Sequence, residues 1–440
     1  MTTLIPKVSL WALLPMVVFL VLTLRGKNYT LSVGIASLLG CLLTLQGPLQ
    51  FANMLVKNLG GTLGQVGLII MFGAGLGSVM EASGINKIVA TFVVNKVGVD
   101  SEKKAIIACY LVSLIMVVLI GTLNGGNAVV APIILPILAL AGLTPTTVSF
   151  LLLNAGLVGV TVGPFCSAVA AALGVTKLSY VSYLLYSALP YSLAWSVMVF
   201  FLAIWLQRKT KAAGEKYENI EDVASDFVPS KRQKSACLAF LIAFTACLIY
   251  GILIGGSMKY TMVVILFLSC VIAFFIDQPF DQSIKLFGKG MGKMGGMFLA
   301  FLLTGIMIDT ITLGGGWKAS SNVILHAVGP NGKYLLMVVA SFVGGFGVEG
   351  AVVTQMQIIQ SAFWDIAKSM GIPMEAWNLV LIAAVRITSI VYPSANYAAH
   401  LGFAHAHNMK DLLMAGWIIS AVMLVFVPLW GFLLMNFVFR

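Results

Sequence analysis

Three ionisable side chains stand within long apolar stretches of the sequence: Asp309, Glu349 and Arg386, all in its C-terminal half. An ionised group in a membrane span costs about 2.5–3.5 kcal/mol on insertion scales, so such residues normally face a partner or a wet cavity. A guanidinium fork is shaped to grip a carboxylate at two points, which makes Arg386 the candidate holder of an anionic substrate. Glu349 or Asp309 is then the candidate carrier of a coupling proton or Na⁺. An internal Arg386–Glu349 ion pair with a purely structural role is the alternative reading of the same residues.

Two apolar stretches near these residues are interrupted by glycine and polar side chains, at matching places in the two halves. The first reads Thr122-Leu123-Asn124-Gly125-Gly126-Asn127, the second Gly344-Gly345-Phe346-Gly347-Val348-Glu349-Gly350. Glycine lets backbone and ligand approach closely, and Asn124 and Asn127 add amide donors and acceptors. Backbone bared in hydrocarbon must be buried in protein or line a polar cavity. Paired interruptions of this kind are a sequence pointer to the binding site of a secondary transporter, although small residues also serve plain helix packing. Asn124, Gly125, Gly126, Asn127, Gly347 and Glu349 are therefore candidate substrate ligands.

After each interruption comes a helix with a proline break. Thr161-Val162-Gly163-Pro164-Phe165-Cys166-Ser167 is one, and Arg386-Ile387-Thr388-Ser389 leading to Tyr392-Pro393-Ser394-Ala395-Asn396 is the other. Proline removes a backbone donor and frees a carbonyl one turn earlier, available to Na⁺ or substrate. Thr161, Ser167, Thr388 and Ser389 are candidate coupling-ion ligands, and Ser394 and Asn396 candidate substrate ligands. An ordinary proline kink is the alternative.

These residues need a membrane scaffold. Hydrophobic residues make up 60% of the chain and charged residues 9%, far from the soluble norm of about 25% charged. Stretches of roughly 20 apolar residues predict spanning helices and not a barrel. The reading is an all-α, polytopic helical membrane protein of about ten spans plus two re-entrant hairpins. Spans are expected near 8–24, 29–46, 61–82, 149–172 and 180–206, with a hairpin at 104–142. A second set follows near 236–255, 260–276, 294–314, 377–402 and 412–436, with a hairpin at 334–368. The charged stretch 208–234 separates residues 1–207 from residues 235–440. An odd number of spans per half makes the second an inverted copy of the first. If 104–142 instead crossed completely, the halves would run parallel.

The net charge of +11 is carried mostly by loop residues, where lysine and arginine orient a membrane protein. Placing the linker in the cytoplasm puts Arg25, Lys27, Lys87, Lys96, Lys103, Lys104, Lys285 and Lys289 on the same side. Both termini are then extracytoplasmic, the first hairpin entering from the cytoplasm and the second from outside. Nucleic acid is not an expected partner. The six cysteines fall in apolar stretches without a Cys-x-x-Cys pair, so free thiols are expected. His400, His405 and His407 lack an acid or cysteine at ligand spacing, and no metal is expected. Glu81, just before Ser83-Gly84 near a helix end, reads as a structural residue that caps the helix or snorkels. No zinc-protease, nucleophile-elbow or phosphate-loop motif is present, which argues against an enzyme or an ATP-driven pump.

The run Phe72-Gly73-Ala74-Gly75-Leu76-Gly77-Ser78-Val79-Met80-Glu81-Ala82-Ser83-Gly84, with Gly61-Thr62-Leu63-Gly64 before it, resembles the gluconate permease family. So does Ala383-Ala384-Val385-Arg386 with the break at 389–396. The segment Asn127-Ala128-Val129-Val130-Ala131-Pro132-Ile133-Ile134-Leu135-Pro136-Ile137 is similar to the hairpin return of the wider ion transporter superfamily, which includes sodium–proton antiporters. The resemblance implies an inverted-repeat scaffold, a site between hairpin tips and broken helices, a homodimer, and elevator-type movement. The tips depart from the superfamily's Ser-Asn-Thr, and Tyr392–Asn396 departs from the gluconate permeases' Gly-Ser-Ala-Thr. The expectation is an inner-membrane secondary transporter for a small organic anion (hydroxy acid, sugar acid or dicarboxylate), coupled to H⁺ or Na⁺ and needing no other cofactor. A Na⁺/H⁺ antiporter and an amino-acid transporter are the alternatives.

Overall fold

The computed structural model describes residues 4, 6, 8–25, 27–217, 229–256, 258–276, 279–320, 323, 329, 332–345 and 352–439. Among them, ten helices are long and apolar enough to cross a membrane, and no strand is present. The protein is an all-helical, multi-pass membrane protein.

The first half runs α1 (Leu14–Leu24), α2 (Tyr29–Leu43), α3 (Pro48–Gly60), α4 (Thr62–Ser83), α5 (Ile85–Val97), α6 (Glu102–Ile120), α7 (Leu123–Leu140), α8 (Pro145–Val162), α9 (Ser167–Thr176) and α10 (Tyr180–Ala212). The second runs α11 (Lys231–Leu253), α12 (Met258–Phe275), α13 (Phe280–Gly292), α14 (Gly295–Leu313), α15 (Lys333–Gly345), α16 (Val352–Ser369), α17 (Met374–Val391), α18 (Ala395–Phe403) and α19 (Met409–Val438). Helix α10 therefore continues into the expected linker, whose residues 218–228 lie outside the described set.

Packing between the halves is reciprocal. Short α3 lies on α14 while its counterpart α13 lies on α4; α2 packs on α14 and α12 on α4. Helix α9 packs against α16 and α17, and α18 against α7 and α8. At the centre, 94% of α8 and 89% of α17 are buried inside the protein, against 22% of α11. The first two see protein on all sides; α11 is the kind of helix that meets lipid.

Local chemistry sets the ends of the elements that matter. Ser101 caps α6 by accepting from the Lys104 N–H, a contact typically contributing about 1 kcal/mol. Gly121, at φ +80°, ends α6 in the left-handed region that a β-carbon disfavours. Thr122 is then the N-cap of α7. The first interruption is consequently shorter than the sequence suggested: Asn124, Gly125, Gly126 and Asn127 form the opening turn of α7, not an open loop. Gly126 lets α6 and α7 touch backbone to backbone, since a β-carbon there would stand 2.9 Å from Val117 Cα. The second interruption covers residues 346–351, so Gly347 and Glu349 lie outside the described residues. The spans expected at 149–172 and 377–402 are each split, into α8 and α9 and into α17 and α18, at the two proline segments.

Candidate functional site

Helix α17 carries Arg386 into the interior, where the residue is 3% exposed. Its Nε donates to Thr161 Oγ1 at 2.8 Å. The Thr161 hydroxyl hydrogen is committed to Leu157 O at 2.7 Å, so its oxygen can only accept from the arginine, which fixes the plane of the guanidinium. No carboxylate among the described residues pairs with Arg386. Its terminal nitrogens likewise have no protein partner there, and the side chain lines a cavity of about 380 Å³.

That cavity is bounded by the N-terminal turns of three helices: Thr122, Leu123, Asn124 and Gly125 come from α7, Ser167 and Ala168 from α9, and Asn396 from α18, with Val352 and Val353 of α16 beside them. The first N–H groups of a helix have no intrahelical acceptor and carry partial positive charge, which favours anions. Neither Thr122 nor Cys166 caps its helix with a side-chain bond. Much of the remaining wall is apolar, including Ile120, Leu157, Val160 and Phe301.

Of the residues singled out in the sequence, Asn124, Gly125, Ser167, Arg386, Ser389 and Asn396 all line this one cavity. Others lie behind it. Thr161 orients Arg386. Thr388 donates to Gly344 O at 3.0 Å and accepts from Gln355 Nε2 at 2.6 Å, tying the second hairpin to α17. Ser394 caps α18 by accepting from Tyr397 N. Gly126 is a packing contact, and Asn127 is buried in a hydrogen-bonded cluster with Ser113, Leu152 O and His400. Asp309 is not brought to the cavity: it accepts from Lys57 at 2.9 Å and Asn58 at 3.0 Å, holding α3 against α14.

The sequence reading missed Glu81, Ser78 and Lys293 as cavity residues. A signal was there to find. Ile70, Ala74, Gly77, Ser78 and Glu81 repeat at helical spacing on α4, a small and polar stripe on an otherwise apolar helix. Behind the guanidinium, Tyr191 Oη, Ser192 Oγ and Trp195 Nε1 are buried without hydrogen-bond partners, and their side chains bound a small space shared with Arg386 and Thr161.

Helix ends and a buried cation thus share one cavity within a polytopic helical fold. The chain is similar along 98% of its length to the YdaH transporter of Alcanivorax borkumensis, with a TM-score of 0.64 and 16% identity over 98% of that chain. It is also similar to MtrF of Neisseria gonorrhoeae, of a class of antimetabolite efflux pumps, with a TM-score of 0.60 and 13% identity over 98% of this chain and 95% of that one. An uncharacterized permease of Haemophilus influenzae is 32% identical over 111 residues, which span 25% of this chain and 22% of that relative. No family model matches. At these identities the solved structures define the fold, and the fold is that of transporters.

Proposed function

We propose that the protein is a secondary active transporter for small organic carboxylates, with Arg386 receiving the carboxylate. One observation carries this reading: a buried arginine, hydrogen-bonded to the protein through Nε alone among the described residues, lines a cavity that helix N-termini also line. A buried charge without a partner is strongly unfavourable, so an arginine kept this way is suited to a negative charge that comes and goes. The largely apolar wall favours a carboxylate with an apolar body, among them hydroxy acids, over a polyhydroxylated sugar acid. Glu81, which also lines the cavity, supports a second substrate class: an amino acid whose ammonium meets Glu81 while its carboxylate meets Arg386.

The remaining features belong to the same proposal. Reciprocal packing of α3 with α14 and α13 with α4 supports an inverted repeat. An elevator movement, a homodimer, H⁺ or Na⁺ coupling, and an inner-membrane setting with a cytoplasmic linker extend from the superfamily resemblance and the loop charges. Membership near the gluconate permeases rests on the short motifs of α4 and α17. A pure Na⁺/H⁺ antiporter is less well supported, because Asp309 is engaged with Lys57 and Asn58 away from the cavity.

The test is uptake by purified protein in liposomes under an imposed H⁺ or Na⁺ gradient, with radiolabelled mandelate, succinate, gluconate and phenylalanine as probes. Carboxylate accumulation that disappears in Arg386→Gln is expected. Cation exchange without uptake of any probe would instead establish the antiporter.

A further inference from the structure

Directly behind the cavity wall, five side-chain and backbone groups form a buried chain of hydrogen bonds that substrate contact does not require. His400, on α18, is 0% exposed. Its Nδ1 lies 2.7 Å from Asn396 O, a carbonyl that can only accept, so Nδ1 carries the ring hydrogen and Nε2 holds a lone pair. That lone pair accepts from Asn127 Nδ2 at 2.8 Å. The orientation of the Asn127 amide is independently fixed, because Nδ2 also donates to Leu152 O of α8 at 2.8 Å while Oδ1 accepts from Ser113 Oγ at 2.7 Å. Asn127 thus ties the first hairpin to α8 and, through His400, to a helix of the other half.

We propose that His400 is a proton-binding site, and that its protonation breaks the direct tie of α7 to α8 while keeping that of α7 to α18. A proton on Nε2 brings two donors face to face across 2.8 Å, Nε2–H and Asn127 Nδ2–H. Rotating the amide end for end lets Oδ1 accept from Nε2–H. The same rotation points Oδ1 at Leu152 O, two acceptors at the distance of a former hydrogen bond. Nδ2 then donates to Ser113 Oγ, and the Ser113 hydroxyl, already 3.0 Å from Leu152 O, supplies that carbonyl's remaining donor. Neutral His400 leaves Asn127 of α7 tied to both α8 and α18; charged His400 keeps the tie to α18 and pushes α7 from Leu152. No protonated arrangement keeps both ties.

Two comparisons sharpen the assignment. On α15–α16 the corresponding amide, Gln355, bonds Gly344 O, Ala384 O of α17 and the Thr388 hydroxyl, so of these two amides Asn127 is the one with a titratable partner among the described residues. Helices α7 and α8, which pack against α18, carry no ionisable side chain. On α18 itself the other ionisable group is Tyr397, whose hydroxyl lies against Ile390 O and Leu412 O. His400 is accordingly the one side chain of these three helices with a basic nitrogen open to a proton. The tie reaches the cavity at both ends, through Asn396 and through the turn bearing Asn124 and Gly125.

A coupling role for this site rests on the transport reading above; proton binding does not. The full chain, labelled with ¹⁵N in histidine side chains and asparagine amides and held in lipid nanodiscs, is titrated from roughly pH 8.5 to 4.5. His400→Gln assigns the ring signals. The expected result is conversion of His400 from the Nδ1–H tautomer to imidazolium, with the Asn127 amide moving at the same midpoint. Asn127→Asp, which sets a carboxylate against the ring, should raise the midpoint by roughly 1–3 pH units. A His400 that stays neutral throughout, an Asn127 amide indifferent to it, or a midpoint unmoved by Asn127→Asp overturns the site. In liposomes, His400→Gln should lose mandelate accumulation driven by a pH gradient yet keep mandelate counterflow at equal pH; unchanged accumulation overturns the coupling. If wild-type protein moves no mandelate, the carboxylate reading fails for that probe and the titration still decides the proton site.

Discussion

Arg386 Nε and Thr161 Oγ1 meet at 2.8 Å across 225 residues of sequence, joining the two broken helices just before their proline segments. The contact spends only the arginine's Nε on the protein and leaves its forked end without a hydrogen-bond partner among the described residues. Thr161 is itself locked, by Leu157 O on its hydroxyl and by Tyr183 Oη on its carbonyl. The aim of the guanidinium is thus decided by the first half, while the charge comes from the second.

Substitutions at this contact should separate aim from charge. Arg386→Lys keeps a cation but loses the fork, and carboxylate affinity should fall by about 1.5–3 kcal/mol, roughly ten- to a hundredfold. Thr161→Val should weaken affinity by about 1–3 kcal/mol by leaving Nε unpaired, whereas Thr161→Ser should restore it. Equilibrium binding to detergent-solubilised protein measures all three. Equal affinity of the valine and serine variants would remove Thr161 from the site.

Asp309 offers a contrasting expectation. Its partner Lys57 is 70% exposed, and pairs of that kind contribute about 0–1 kcal/mol. Asp309→Asn should lower the melting temperature slightly and leave gradient-driven uptake intact. Loss of uptake in a folded Asp309→Asn protein would restore that residue as a coupling-ion carrier.

Much of this arrangement was legible in the sequence, and the gaps have physical causes. The interruptions, the proline breaks and Arg386 announce themselves because polar groups inside apolar runs demand an explanation, and Asn124, Ser167, Ser389 and Asn396 followed from them. Partners far apart in sequence leave no such trace. Thr161 read as an ion ligand because nothing local says that its oxygen is taken by Arg386. Asp309 read as a coupling acid because Lys57 is 252 residues away. His400 read as uninformative because its meaning lies in Asn127, and Asn127 read as a hairpin-tip ligand because one left-handed glycine at 121 moves the turn upstream of it.

The glycines at the first interruption test the same lesson. Gly126→Ala would set a β-carbon 2.7 Å from Val117 Cγ2, and overpacking of this kind costs about 1–3 kcal/mol. Gly288→Ala, on α13 with open space around it, should act in the opposite direction by about 0.5–1 kcal/mol. Thermal unfolding in one detergent reads both signs. A Gly126→Ala protein as stable as wild type would mean that the α6–α7 contact is looser than drawn.

The two most buried helices, α8 and α17, are also the least apolar of the ten. Neither is well suited to partition into lipid alone, and each leans on a hairpin arm of its own half, α6 or α15, and on a short helix of the opposite half, α18 or α9. During synthesis α8 emerges long before α18 exists, so the face of α8 that α18 covers stays bare until residues 395–403 are made. Truncations that remove α18 should therefore be felt in the N-terminal half, at α8.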